Sequence, residues 1–321
     1  MGNRQEIREL CQRFAAHDRQ ALSRLLTLAS RGEQLEEIRH LVGAARTSPS
    51  DGQPRGQRHR VVAVTGSPGV GKSTLVGRLI EVLRHQGRGV AVLACDPQSP
   101  LTGGALLGDR LRMPSRPEDP QVFIRSLATP GGRGAIPEHI DLLVGLLQAF
   151  GFDWVLLETV GAGQGETAVR HVADVVVLLV QPEAGDDIQW EKAGLFEVAD
   201  LIVVHKADLP GAEKVEAQIR TLVNLPGCRE VPVLRVSSHK QEGVEQLVKQ
   251  IEVLAGQSRV LASSAKARLR DLLQERFGQA FERLGGQTED LVRGWEEGRL
   301  SDEEVFAEVI ERMASSSQSA N

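Results

Sequence analysis

The segment that most restricts how this chain can fold is GSPGVGKST (66–74), which carries the spacing G-x-x-x-x-G-K-S. It follows the β-branched run VVAVT (61–65) and opens an apolar-periodic stretch, STLVGRLIEVLRHQ (73–86), that Gly87 stops. A strand that feeds a glycine-rich loop into a helix makes an anion site. Gly66, Gly69 and Gly71 permit a tight turn, with Ser67, Pro68 and Val70 filling the loop between them. The loop N–H groups converge on phosphate, and the helix N-terminus adds its partial positive charge. Lys72 can reach β- and γ-phosphates, Ser73 can offer a hydroxyl to Mg²⁺, and Thr74 continues the helix start.

Beyond this loop, short apolar runs recur at VAVLAC (90–95), VFI (122–124), WVLLE (154–158), VVVLLV (175–180), LIVV (201–204) and VPVLRV (231–236). They do not alternate with polar residues, so they read as strands buried on both faces, as in a parallel sheet. Helical segments lie between several of them. The expected fold class is α/β, a doubly wound, mostly parallel sheet forming a P-loop NTPase domain. Residues 5–43 read as helices, with Leu22, Leu25, Leu26 and Ala29 on one face, and TSPSDGQPRGQRHR (47–60) reads as a linker. After Gly256 no strand signal returns, and Ser301 with Glu304 fits a capping box. The expected layout is a helical extension and linker at 1–57, the nucleotide domain at 58–256, and a helical extension at 257–321 that can serve as a dimerisation arm.

Four further strand ends carry polar residues. Asp96 ends the second strand in CDPQSP, where a carboxylate suits an outer, water-mediated contact with Mg²⁺. Glu158 ends the strand that runs into ETVGAGQGE, in which Gly161 permits backbone approach to a γ-phosphate and Gln164 or Glu166 can orient water. VVHKADL (203–209) resembles the N-K-x-D guanine element with His205 in place of Asn. Asp208 can accept from both N1–H and the exocyclic amine of guanine, a pattern adenine lacks, while the stem of Lys206 can cover the base. Ser237 and Ser238, after the next strand, stand where a backbone contact to guanine O6 is expected.

Composition excludes several other classes. The net charge is 38 − 43 = −5 and the aromatics are 8 Phe, 3 Trp and no Tyr, which argues against a nucleic-acid surface. Cys11, Cys95 and Cys228 show no paired metal or disulfide spacing. No apolar run reaches the ~18 residues of a membrane span, and the polar start has no secretory core, so the expected location is cytoplasmic. Only seven of the 38 basic residues are Lys, and three of them, Lys72, Lys192 and Lys206, fall in GSPGVGKST, in GDDIQWEK (185–192) and in HKAD (205–208).

The phosphate loop, CDPQSPLTGGALLGDRLRM (95–113), ETVGAGQGE (158–166) and EAGDDIQWEKAGLFEVADLIVVHKADL (183–209) together resemble the MeaB/ArgK family of P-loop GTPases, the methylmalonyl-CoA-mutase-associated GTPases of the SIMIBI class. The resemblance covers roughly 60–285, with weaker echoes on either side. It implies a GTP/GDP- and Mg²⁺-binding GTPase that chaperones an adenosylcobalamin-dependent acyl-CoA mutase, gating cofactor loading and protecting it from inactivation. It also implies a homodimer. Lys72 and Ser73 match the family's phosphate and Mg²⁺ positions, and Asp96, Asp109 and Glu158 match acidic positions near Mg²⁺ and in the mobile switch. GDDIQ through Lys192 matches a third switch associated with the mutase. Two departures stand out: His205 for the usual Asn, and ATPGGRGA (128–135) where R-G-x-L-G-G is common. Ser67 stands where dimeric ATPases of the class carry Lys. Open alternatives are a kinase-like NTPase linked to amino-acid transport, a metal-insertion GTPase and a non-catalytic nucleotide-sensing scaffold.

Overall fold

In the computed structural model the strand that feeds the phosphate loop is the middle one of a seven-stranded parallel sheet, ordered β3-β2-β4-β1-β5-β6-β7. The structure describes residues 2–47, 59–97, 118–129, 137, 139–159, 169–170, 172–182, 198–225, 229–261, 273, 277–278 and 280–318. The strands are β1 (Arg60–Gly66), β2 (Val90–Pro97), β3 (Val122–Thr129), β4 (Trp154–Glu158), β5 (Val175–Val180), β6 (Leu201–His205) and β7 (Val233–Val236). Every pairing is parallel, so the strand C-termini share one edge, and the phosphate loop leaves from its centre. The fold class is thus the one the apolar runs predict.

The absence of alternation has a direct cause: both faces are covered. On β1, Val61 and Ala63 face a core shared with helices α1 (Gly2–Ala15), α2 (Arg19–Ser30), α3 (Leu35–Thr47) and α5 (Ile140–Phe150). Val62 and Val64 face a core built with α4 (Lys72–His85) and α7 (Val244–Leu261). A third cluster seats α6 (Ala212–Val223) on β5, β6 and β7. Helix α5, IDLLVGLLQAF, is apolar nearly all round because it lies between the sheet and the N-terminal helices. Helix α2 begins at a true cap: Asp18 accepts from the amides of Gln20 at 2.7 Å and Ala21 at 3.3 Å.

The chain divides into two units, 1–261 and 262–321. In the second, a 3₁₀ turn (Gly285–Thr288) leads into α8 (Glu289–Glu296) and then α9 (Asp302–Gln318). The expected capping box is present. Glu304 accepts from the Ser301 amide at 2.9 Å, and the Glu304 amide donates to Ser301 Oγ at 3.3 Å. Phe281, Trp295, Phe306 and Ile310 leave apolar surface exposed on this unit. Among the described residues no helix is long and apolar enough to cross a membrane.

Candidate nucleotide-binding site

The loop between β1 and α4 is shaped by its glycines. Gly66, Gly69 and Gly71 have φ of +140°, +79° and +99°. A Cβ on Gly66 would lie 2.5 Å from the Leu179 carbonyl oxygen, and one on Gly71 would lie 2.5 Å from Cε1 of His205. Among the described residues nothing lies within 4 Å of a Cβ at Gly69, and there it is the backbone conformation that calls for glycine. The side chain of Lys72 is buried and folds back across the start of the loop, donating to the carbonyls of Gly66 at 2.9 Å and Ser67 at 3.2 Å.

Below the loop, β4 lies beside β1 with Val64 opposite Glu158. This register brings Ser73 Oγ to within 2.6 Å of Glu158 Oε1, with both side chains buried. The bond is short because a hydroxyl donates to a carboxylate. A hydroxyl and a carboxylate at the foot of a phosphate loop are hard oxygen donors of the kind Mg²⁺ prefers, so the residues present fit that ion. Thr159 follows, its amide bonded to the Val64 carbonyl and its hydroxyl to Thr65 Oγ1 at 3.0 Å. The backbone of Asp96 is in β2 opposite Ala128 of β3, near the same sheet edge, and its side chain lies outside the described residues. Asp109, Gly161, Gln164 and Glu166, and the segment from GDDIQ to Lys192, also lie outside them.

The other half of the site stands at the ends of β6 and β7. Asp208 Oδ1 accepts from Ser237 Oγ at 2.6 Å, and that hydroxyl holds the carboxyl of Asp208 below its usual range. Ser237 Oγ also accepts from the Lys240 amide at 3.1 Å, which closes the turn after β7. Lys206 has φ of +55° and donates from Nζ to Gln181 Oε1 at 2.8 Å, anchoring its stem beside the end of β5. His205 is buried, with Nδ1 2.7 Å from the Val70 carbonyl and Nε2 2.7 Å from Ser238 Oγ. Both ring nitrogens are thus engaged within the protein, as are the hydroxyls of Ser237 and Ser238.

Two supporting residues carry no motif. Gln181 follows the run VVVLLV and was visible only as the polar residue after a strand. Arg78, on α4, donates to the Ser238 carbonyl at 3.0 Å, and nothing local in the sequence marks that contact across 160 residues.

A glycine loop leaving the middle strand of a parallel sheet, with a buried lysine and a Ser–Glu pair beneath it, defines a P-loop NTPase. Residues 22–285 match the family described as methylmalonyl-CoA mutase-associated GTPase MeaB, and the chain belongs to that GTPase family. A protein of Pyrococcus horikoshii, named provisionally as a GTPase, is 37% identical over 281 residues, covering 83% of this chain and 84% of its own. The mouse protein named methylmalonic aciduria type A homolog, mitochondrial, is 37% identical over 193 residues, 58% of this chain and 46% of its own. The crystal structure of a LAO/AO transport system kinase superposes with a TM-score of 0.59 at 22% identity, covering 96% of this chain and 97% of that one. This last likeness is one of fold.

Proposed function

We propose that this protein is a Mg²⁺-dependent GTPase whose nucleotide state gates cofactor loading and protection of an adenosylcobalamin-dependent acyl-CoA mutase of the methylmalonyl-CoA mutase type. The observation that carries the reading is the buried Ser73–Glu158 pair beneath a glycine loop, in a chain whose residues 22–285 match the mutase-associated family. The name of the mouse relative supports the mutase as partner.

The chain's own groups divide the work by position. The loop amides and the Lys72 ammonium bind the β- and γ-phosphates and offset charge that grows on the leaving oxygen. Ser73, Glu158 and Asp96 hold the metal and its water shell, and Asp109 and Gln164 belong to the loops that respond to the γ-phosphate. Mg²⁺ bound there neutralises phosphate charge. Asp208 accepts from the Watson–Crick edge of guanine, and Lys206 covers the base. Hydrolysis is slow without the partner. Gain or loss of the γ-phosphate biases the mutase complex through the loops that follow β2, β4 and β5. The protein acts in the cytoplasm as a homodimer, with 58–256 as the nucleotide domain and 257–321 as the dimerising arm. The exposed Trp295 and Phe306 support that last role.

Turnover of γ-labelled GTP tests the chemistry. Phosphate should appear free, and Lys72→Ala should lower kcat on the order of 10²-fold or more. Unchanged turnover in that variant overturns the site, and label on a partner protein makes the protein a kinase. Capture of purified methylmalonyl-CoA mutase should differ between GTP-analogue and GDP states; equal capture in both, or none, overturns the gating role.

A further inference from the structure

His205 ends β6 opposite Val236 of β7 and joins two parts of the site that are distant in sequence. Its Nδ1 bonds the Val70 carbonyl of the phosphate loop, 135 residues earlier, and its Nε2 meets Ser238 Oγ, 33 residues later. A carbonyl can only accept, so Nδ1 carries hydrogen. Burial holds the imidazole below its ordinary pKa and favours the neutral ring. Nε2 is then the acceptor, and the Ser238 hydroxyl donates to it. Ser238 is fixed a second time by Arg78, which reaches its carbonyl from α4. Gly71 completes the arrangement: a Cβ there would lie 2.5 Å from Cε1 and 2.7 Å from Nδ1 of the ring, which packs flush against the loop.

Guanine exposes N7 and O6 as acceptors on the edge away from Asp208, so a side chain reading that edge must bring a donor. The neutral ring has one N–H, and it is committed to Val70. We propose that His205 is a positioning residue that ties the phosphate loop at Val70 to the base-side loop at Ser238 and leaves N7 of guanine unread. The inference rests on the guanine-nucleotide reading given above. It assigns base selection to Asp208 and the backbone of the loop after β7. His205 acts on affinity and turnover through the placing of the phosphate loop.

The test uses the full-length protein with GDP and 7-deaza-GDP, and with GTP and its 7-deaza counterpart, in which C–H replaces N7. Calorimetric affinity and kcat should agree between the natural and 7-deaza nucleotides within about twofold, whereas losing a hydrogen bond that a protein donor makes to a base edge is worth roughly five- to a hundredfold. His205→Ala should weaken GDP and 7-deaza-GDP by the same factor, about tenfold, and lower kcat for both triphosphates. His205→Asn, whose amide can still donate to Val70, should recover most of that loss. A fivefold or greater penalty for 7-deaza-GDP in the native protein overturns the unread edge, and its disappearance in His205→Ala makes the ring a base reader. Unchanged affinity and kcat in His205→Ala overturn the tether. If His205→Ala does not fold, His205→Asn and the native-protein comparison still decide. Failure of the native protein to bind either diphosphate removes the guanine-nucleotide reading itself, a result distinct from all of these.

Discussion

Ser73 and Glu158 are 85 residues apart in the chain and 2.6 Å apart at their oxygens. Each was legible as a candidate, Ser73 from the loop spacing and Glu158 from its place at a strand end. Their contact was not legible, because it depends on β4 entering the sheet beside β1. Ser73→Ala removes the hydroxyl partner of a buried carboxylate. It should cost about 1–3 kcal/mol in urea unfolding and suppress the Mg²⁺ dependence of GTP turnover. His205 shows the same division: its motif was readable, but the direction of its ring was decided by packing. Its pKa is held below 6.5 mainly by burial and further by Lys206, against the pull of the Val70 carbonyl and Asp208. Above the unfolded value both states are neutral and its effect on stability is level. As pH falls below that value, the unfolded chain takes up a proton that the folded ring resists, and stability declines. His205→Asn should flatten this part of the curve when urea midpoints are compared between about pH 8 and pH 5.

Among the elements, the phosphate loop makes a graded prediction. Gly66→Ala places a Cβ against the backbone oxygen of Leu179 in β5, which only a shift of two central strands could relieve. It should cost roughly 3 kcal/mol or more and abolish nucleotide binding. Gly69→Ala meets no described atom within 4 Å and bears the cost of its positive φ, at about 1 kcal/mol. Equal unfolding midpoints for the two variants would show that the Leu179 contact yields. Strand β3 shows where local reading stops. VFI was recognisable, but the strand continues through Arg125 and Ser126 to Thr129. Arg125 bonds the Ser23 carbonyl and hydroxyl and Thr27 Oγ1 on α2, so the end of its guanidinium is held by a helix about a hundred residues earlier. A window of sequence around β3 cannot contain that partner.

For the molecule as a whole, the two units differ in what stabilises them. The first has its sheet buried on both faces, whereas the second relies on a small cluster around Leu284, Leu291 and Val309 and on surface pairing. Arg312 grips both oxygens of Asp290 at 2.8 Å and holds its pKa at about 2. That contribution is full above the unfolded value of 3.8 and is lost as pH falls through about 2. Asp290→Asn should remove the acid dependence and speed hydrogen exchange in α8 and α9 at neutral pH, leaving β1 protected. The sequence by itself determined the strand–loop–helix unit around 66–74, the parallel character of the sheet and the helices before and after it. These follow from backbone freedom at glycine and from periodicity within a single element. Tertiary structure alone decided that β4 inserts beside β1, that Ser73 meets Glu158, and that His205 turns toward Val70 and Ser238. These depend on pairings across 33 to 135 residues, where the buried fit of whole elements, and no local preference, selects the partner.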